Sequence, residues 1–195
     1  VKKGSWVDKY TRFTITEYTG SAATLVIPDT LGGYPVTTIG DSAFYYCTSL
    51  TSVTIGNSVT SIGKETFQGC TKLTSLTIGN GVTSIDPGAF YGCTGLTSVT
   101  IPGNVFSIEL YAFYGCNSLE TVIIGEGVTG GVGSEAFKNC TSLTNIEIPS
   151  TVNDIRDKAF TGCTNLKVIY NKGKNNLSDM IEYLKTNKIA YSKIF

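Results

Sequence analysis

Histidine is absent from this 195-residue chain, and methionine and tryptophan occur once each. Without histidine the chain lacks the commonest general base, the commonest metal ligand and the base of any Ser-His or Cys-His nucleophile pair. Charged residues are also scarce, at 15%, and 15 Lys and Arg balance 15 Asp and Glu. A net charge of zero offers no attraction for nucleic acid or an anionic membrane. We therefore expect a non-enzymatic protein that binds no nucleic acid.

Long apolar runs are missing as well. No stretch is apolar over the roughly 20 residues that a membrane-spanning helix needs, so no membrane span is expected. The first six residues carry no apolar segment of a secretory leader, so we expect a mature start, a trimmed start or an artificial boundary, and export is left open. Hydrophobic residues still make up 41% of the chain, alongside 22 Gly. That fraction is sufficient for the core of one folded domain.

Six cysteines recur at a regular interval, and other residues follow the same interval. The steps between cysteines are 23 residues, with one step of 24. A phenylalanine precedes each cysteine by three positions, and a leucine follows each by three. The cysteines are Cys47, Cys70, Cys93, Cys116, Cys140 and Cys163. A fixed period between 20 and 50 residues indicates a stacked-repeat protein.

Each repeat predicts the same short elements. In the unit at 70–92, apolar side chains alternate over 73–78, which predicts a strand with one buried face. A glycine or proline follows the strand and ends it. A second extended piece is expected at 82–85, and Asp86 with Pro87 predicts one helical turn. Stacking such units buries their apolar faces in a continuous core.

The repeating unit resembles a known family. The pattern Ala-Phe-x-x-Cys-Thr-x-Leu-Thr-x-Val-x-Ile-Pro/Gly-x-x-Val-x-x-Ile is similar to the BspA-like, or Treponema pallidum-type, leucine-rich repeat. The resemblance implies an α/β right-handed solenoid with a parallel β-sheet on its concave face, and short extended pieces and single helical turns elsewhere. It also implies an extracellular or cell-surface protein, of bacteria or of some mucosal protozoa. Relatives bind host extracellular-matrix or plasma proteins, or mediate contacts between cells. No catalytic or cofactor-binding residues carry over.

The repeat pattern divides the chain into three parts. Residues 1–20 lack it and predict an N-terminal strand cap, with a strand at 13–18 that pairs with the region around Trp6. Residues 21–170 are leucine-rich repeats of about 23 residues. Residues 171–195 predict a C-terminal helical cap, with an amphipathic helix at 178–187. A linker into a further domain is the alternative for this last segment.

The outward positions of the strands are the first candidate binding surface. They are Ser-x-Thr in three successive repeats and diversify in the later ones. Because exposed aromatic and charged side chains dominate protein interfaces, the divergent positions predict a protein-binding surface. These positions are Glu120, Ile123, Asn145, Glu147 and Tyr170. Neutral drift of exposed positions is the alternative explanation.

Tyrosines form a second candidate surface. Tyr45, Tyr91 and Tyr114 each follow a phenylalanine of the repeat. Three tyrosines at this spacing are able to stack on a sugar or contact a protein. The alternative is that the rings only cover the phenylalanine row while their hydroxyls reach water.

The cysteines are expected to be buried thiols rather than ligands or disulfides. A ladder places the sulfurs along a line, whereas a metal needs ligands that converge on one point. Parallel side chains one coil apart keep the Cβ atoms about 4.8 Å apart, beyond the usual disulfide range. We therefore predict no metal site and no cofactor.

Two adjacent repeats depart from the pattern. Phe106, Glu109 and the pair Leu110-Tyr111 replace the usual polar residues of one repeat and predict an apolar surface patch. The next repeat contains the extra residue, and Gly130 and Gly131 there predict a bulge.

Two functions compete on this evidence. The first is a surface recognition and adhesion module that binds a protein partner through the concave sheet. The second is a structural spacer, or a self-associating element of a larger surface protein, with no ligand of its own. The divergent outward positions favour the first, and the uniform Ser/Thr repeats favour the second.

Overall fold

A computed structural model describes residues 5–7, 12–166, 168–171 and 193–194 of the chain. The described part contains fourteen short β-strands. In chain order they are β1 (Ser5–Val7), β2 (Phe13–Ile15), β3 (Thr24–Ile27), β4 (Thr30–Leu31), β5 (Tyr34–Ile39), β6 (Ser52–Ile55), β7 (Ser61–Ile62), β8 (Ser75–Thr77), β9 (Ser84–Ile85), β10 (Ser98–Ile101), β11 (Thr121–Ile124), β12 (Asn145–Ile148), β13 (Val168–Asn171) and β14 (Lys193–Ile194).

The first strand of each repeat forms a parallel ladder along the molecule. Strands β3, β6 and β8 form one sheet, and β10 to β14 form another in sequence order. The register advances by one repeat at each step, so that Val99 lies beside Val122 and Val122 beside Ile146. Alternate residues are buried in β3, β6, β10, β11 and β12, as in the exposed–buried pattern of β10. The expected stacking of alternating strands is therefore present.

The second extended piece of each repeat forms another parallel ladder. Strands β2, β5, β7 and β9 pair in parallel, and single bridges continue the ladder through Ile108, Val132 and Ile155. At its start, β1 pairs antiparallel with β2 and places Trp6 opposite Thr14. The short strand β4 pairs antiparallel with β5. The chain is thus a parallel β-solenoid.

The predicted α/β class and helical turns are wrong for the described residues, which contain no helix. At Asp86–Ala89, the Ala89 amide donates to the Asp86 carbonyl at 3.2 Å, and Gly88 has a φ of 68°. Proline at the second position and a positive φ at the third are the marks of a type II turn. The left-handed residue prevents the chain from continuing as a helix.

Hydrogen bonds between coils also oppose a helix on this side of the molecule. The amides of Gly88 and Phe90 donate to the carbonyls of Leu110 and Ala112 in the next coil, at 2.9 and 2.8 Å. Amides that point along the solenoid axis cannot close bonds within one helical turn. This side, the turn face, is therefore a stack of tight turns joined as a ladder.

The core is a row of stacked aromatic rings flanked by aliphatic ladders. Six fully buried phenylalanines stack nearly parallel, with centroid separations of 4.9, 5.3, 5.2, 5.4 and 5.6 Å. They are Phe44, Phe67, Phe90, Phe113, Phe137 and Phe160. Tyr18 covers the first ring at 5.2 Å. Burial of each ring contributes about 1.5–3 kcal/mol, before any stacking term.

The proposed division into caps and repeats is only partly covered by the structure. The repeat segment from 21 to 166 is described throughout, and β2 joins the second ladder through β5. The predicted helix at 178–187 lies outside the described residues. The cap boundaries at 20 and 171 remain predictions.

Candidate recognition surface

The outward side chains of the first-strand ladder form the strand face, which we define by β3, β6, β8, β10, β11 and β12. The outward positions of β6, β8 and β10 are serine and threonine, exposed or half-buried, whereas β3 carries Thr24 and the exposed Val26. Beside these strands, threonine hydroxyls connect one coil to the next. Thr74 Oγ1 donates to the Thr51 carbonyl at 3.1 Å, and Thr97 Oγ1 donates to the Thr74 carbonyl at 3.5 Å. Threonine in these coils thus has a structural explanation.

Glu120 interrupts this threonine ladder. It occupies the position of Thr97 one coil earlier, and its own carbonyl accepts from Thr144 Oγ1 at 3.2 Å. The Glu120 side chain is exposed and has no hydroxyl to donate to the coil before it. A charge therefore replaces an inter-coil hydrogen bond at this place. Positions that break a local structural rule without a gain in stability are candidates for function.

Ile123 and its neighbours form the rest of the divergent set. Ile123 is 41% exposed, where Thr100 stands in the preceding coil. The register places it beside Glu147, which is half-buried, and Asn145 is exposed on the same strand as Glu147. Asn145 Nδ2 donates to Thr144 Oγ1 at 3.2 Å. Four predicted residues therefore lie on adjacent coils of one face.

Tyr170 is placed by its backbone alone. Strand β13 pairs with β12 and sets Tyr170 beside Glu147. Its side chain lies outside the described residues. The role assigned to it from sequence remains a prediction.

The predicted tyrosines lie on the turn face, and two of them stack on each other. The rings of Tyr91 and Tyr114 are 4.8 Å apart and nearly parallel, at 2°. Burial of Tyr91, followed by the proximity of Tyr114, raises the pKa of Tyr91. Tyr45 lies farther along the row, 45% exposed, and meets the ring of Tyr46 edge-on at 4.6 Å.

Sequence reasoning missed several partners of this tyrosine row. Tyr111 meets Tyr114 edge-on at 5.8 Å, and Lys138 Nζ lies 5.6 Å from the centre of the Tyr114 ring. Glu135 holds Lys138 in an ion pair of 2.8 Å. Because neighbouring rings and the ammonium cover both faces of Tyr114, this ring has little free face on which a sugar could stack. Tyr111 was marked only as part of the apolar departure in its repeat, and the repeat pattern gave no signal that Tyr111 and Lys138 contact Tyr114.

All six cysteines are free thiols, and five are buried. Each buried thiol donates to the carbonyl of the phenylalanine in the preceding coil, at 3.0 to 3.3 Å. Burial raises the pKa of Cys70 and of Cys116 to about 12. These thiols stay protonated at neutral pH and are poor nucleophiles or ligands.

Neither a metal centre nor a membrane span is found in the described part of the chain. No group of three or more His, Cys, Asp or Glu residues there is arranged to hold a metal ion. No described helix is long and apolar enough to cross a bilayer.

Solved structures of bacterial repeat proteins share this fold. The leucine rich repeat protein of T. pallidum is 28% identical, with a TM-score of 0.81 over 97% of this chain and 94% of its own. A leucine rich cell surface protein from Faecalibacterium prausnitzii is 35% identical, with a TM-score of 0.70 over 87% of this chain. A leucine-rich repeat protein from Bacteroides ovatus is 31% identical, with a TM-score of 0.72 over 85% of this chain. The chain spans 53% and 44% of the latter two proteins.

The sequence itself also matches a described family. No curated protein matches the chain. The profile of the BspA type leucine rich repeat region matches six copies over residues 37–167. This match covers most of the described solenoid and includes every cysteine-centred repeat. The chain therefore belongs to the BspA type leucine-rich repeat family.

Proposed function

We propose that this protein is a non-enzymatic recognition and adhesion module at the cell surface. It binds a protein partner through the divergent part of the strand face. The observation that carries this proposal is the exposed Ile123, which lies beside the acidic Glu147 and follows three coils whose outward strand positions are serine and threonine. An exposed apolar residue within a polar rim is the arrangement of a protein-binding patch.

The charge of this face defines the chemistry of the partner. The outward positions of the strand face carry no Lys or Arg, while Glu147 on β12 and Glu120, just before β11, carry carboxylates. A partner that places an apolar side chain on Ile123 and basic side chains around it complements this surface. Host extracellular-matrix and plasma proteins, and proteins on other cells, are the proposed sources of such a partner.

The extracellular location has support from the comparisons. The Faecalibacterium prausnitzii relative, at 35% identity, is described as a cell surface protein. Thiols that are buried and protonated are protected from oxidation outside the cell, because the thiolate is the reactive species. Both observations are compatible with display at a bacterial surface.

Binding to purified proteins tests the proposal. Extracellular-matrix and plasma proteins are immobilised one at a time, and binding is measured by surface plasmon resonance. In the test variant, Glu120→Thr, Ile123→Thr, Asn145→Ser and Glu147→Thr restore the residues of the earlier coils. We expect saturable binding to at least one protein and at least about tenfold weaker binding by the variant. Unchanged binding by a correctly folded variant would contradict the strand-face site.

The turn face is the alternative site within the same function. Tyr45, Tyr46 and Tyr111 are 37–57% exposed. Replacing Tyr45 by Thr serves as the matched variant on that face. Loss of binding in this variant, with binding retained in the strand-face variant, would move the site to the tyrosine row.

A spacer or self-associating role is the second candidate function. The uniform serine and threonine of β6, β8 and β10 favour it, and the threonine hydroxyls just before β8 and β10 already bond between coils. Sedimentation velocity over a hundredfold range of concentration separates the two functions. Reversible growth of the sedimentation coefficient with concentration supports self-association, and a constant monomer value supports a monomeric receptor.

A further inference from the structure

A groove of about 340 Å³ opens on the side of the solenoid that carries the second ladder. Three successive coils line it, and it includes neither the strand face nor the tyrosine row. The side chains that matter to its chemistry are Lys64, Ser84, Asp86, Phe106, Ser107 and Glu109. Its volume lies at the lower end of the range for small-molecule sites, about 300–1,000 Å³.

Phe106 is out of place in the repeat. In the two preceding coils this position is threonine, and Thr60 Oγ1 and Thr83 Oγ1 each donate to the coil before them at 3.1 Å. Phe106 ends that hydrogen-bonded row and leaves its side chain 66% exposed. The replacement removes an inter-coil hydrogen bond and exposes a large apolar ring. The replacement of threonine by Phe106 is not explained by a gain in stability. The exposed ring is available for contact with another molecule.

The next coil is shaped to receive this ring. A Cβ atom on Gly130 would lie 2.6 Å from Cε1 of Phe106, so the absence of a side chain there makes room for the ring. The extra residue of this coil is taken up beside it, where Gly131 has a φ of 98°. The missing side chain at Gly130 leaves Phe106 over backbone rather than against a competing side chain. The ring is thereby preorganised at one end of the groove.

The polar side chains of the groove offer both acceptors and a donor. Ser84 Oγ donates to Asp86 Oδ1, and Ser107 Oγ donates to Glu109 Oε1, which orients the two carboxylates. Each carboxylate keeps further acceptor sites. Lys64 forms no ion pair within 4 Å of an acidic group among the described residues. Its ammonium is therefore left to donate to a ligand.

We propose that this groove binds a neutral carbohydrate, a pyranose ring of a glycan. One apolar C–H face of the sugar stacks on Phe106, and its hydroxyls donate to Asp86 and Glu109 and accept from Lys64. An anionic ligand would meet two carboxylates, whereas a cationic ligand, although attracted to them, would offer no acceptor to the Lys64 ammonium. A neutral ring with many hydroxyls satisfies all of these groups together.

Saturation-transfer NMR with small glycosides tests the site. The probes are the methyl pyranosides of glucose, galactose and mannose, with N-acetylneuraminic acid as the anionic probe and putrescine as the cationic probe. We expect at least one neutral pyranoside to receive saturation, strongest at the C–H protons of one ring face. Phe106→Thr, which restores the threonine of the earlier coils, should weaken its binding by about tenfold or more.

Two further variants keep the result interpretable. Glu109→Gln retains an acceptor for Ser107 and removes the charge, and it should weaken binding severalfold without unfolding the protein. Tyr45→Thr removes an exposed aromatic ring from the turn face and should leave sugar binding unchanged. Saturation of no neutral pyranoside, saturation of only the charged probes, or equal binding by folded Phe106→Thr would overturn the proposal.

Discussion

At the residue scale, the repeat pattern predicted the burial of the cysteines but not their hydrogen bonds. Their spacing predicted buried thiols on successive coils, and five buried free thiols are found. Spacing gave no signal for the hydrogen bond of each thiol to a phenylalanine carbonyl one coil earlier, such as Cys116 Sγ to Phe90 at 3.3 Å. That contact depends on which backbone carbonyl faces the core, and this is a property of the turns rather than of the cysteine.

Raised thiol pKa values make the folded state sensitive to alkaline pH. Burial raises the pKa of Cys116 from its ordinary 9.0 to about 12. The unfolded chain releases this proton above pH 9 while the folded chain retains it, so stability is complete below pH 9 and falls as the pH rises toward 12. Above pH 9, the unfolding free energy of Cys116→Ala should therefore fall less steeply than that of the wild type. The difference in slope is up to about 1.4 kcal/mol per pH unit.

The measurement is urea denaturation at several values between pH 7 and 11. Val105→Ala, which truncates a fully buried side chain that has no proton to release, serves as the comparison. Equal pH dependence in the wild type and Cys116→Ala would show that Cys116 titrates alike in the two states and contradict the burial argument.

At the element scale, the strands were predictable and the turns were not. Period-two alternation and the glycine or proline after each strand marked the first ladder correctly. The helical turn was inferred from Asp86 and Pro87, but Pro87-Gly88 is equally a type II turn signal. In other coils Glu65, Tyr111 and Glu135 occupy the positive-φ position, at 53°, 59° and 56°. Such residues seldom adopt that conformation, so only the bonds between coils reveal the turn.

Close contact between coils makes one glycine indispensable. A Cβ atom on Gly81 would lie 1.8 Å from the Asn57 carbonyl oxygen of the preceding coil. Gly81→Ala should therefore force adjacent coils apart and lower the unfolding free energy by about 2–4 kcal/mol. Gly92 has a φ of 66° and no atom within 4 Å of its would-be Cβ. Gly92→Ala should cost only about 1–2 kcal/mol, the price of the left-handed conformation.

Chemical denaturation of both variants measures this difference. Equal destabilisation by the two substitutions would mean that backbone conformation, rather than contact between coils, is the reason for glycine at these positions.

At the scale of the whole molecule, stability is expected to be local along the solenoid. Each coil contacts its neighbours, and the phenylalanine stack connects them ring by ring. Phe90→Leu in a middle coil should lower the unfolding free energy by about 1–2 kcal/mol. Hydrogen exchange should then quicken most in residues 67–116 and least near β3. Uniform acceleration over the described coils would instead indicate that the solenoid opens as one unit.

The candidate site was predictable only where it departs from the repeat. Glu120, Ile123, Asn145 and Glu147 were found because each replaces a recurring serine or threonine, and the structure places them on adjacent coils of one face. The sequence indicated only part of the groove at Phe106. Phe106 and the glycines at 130 and 131 were marked as irregular, but their contact joins two coils and depends on the register between them.

Photo-crosslinking from the strand face tests the central claim most directly. A benzoylphenylalanine residue replaces Ile123, and matched variants carry it at Ser75 on a uniform coil and at Tyr114 on the turn face. Each variant is irradiated with the protein that the wild type binds. We predict a crosslink from position 123 and none from 75 or 114. A crosslink from 114 alone, or from none of the three, would contradict recognition through the divergent strand face.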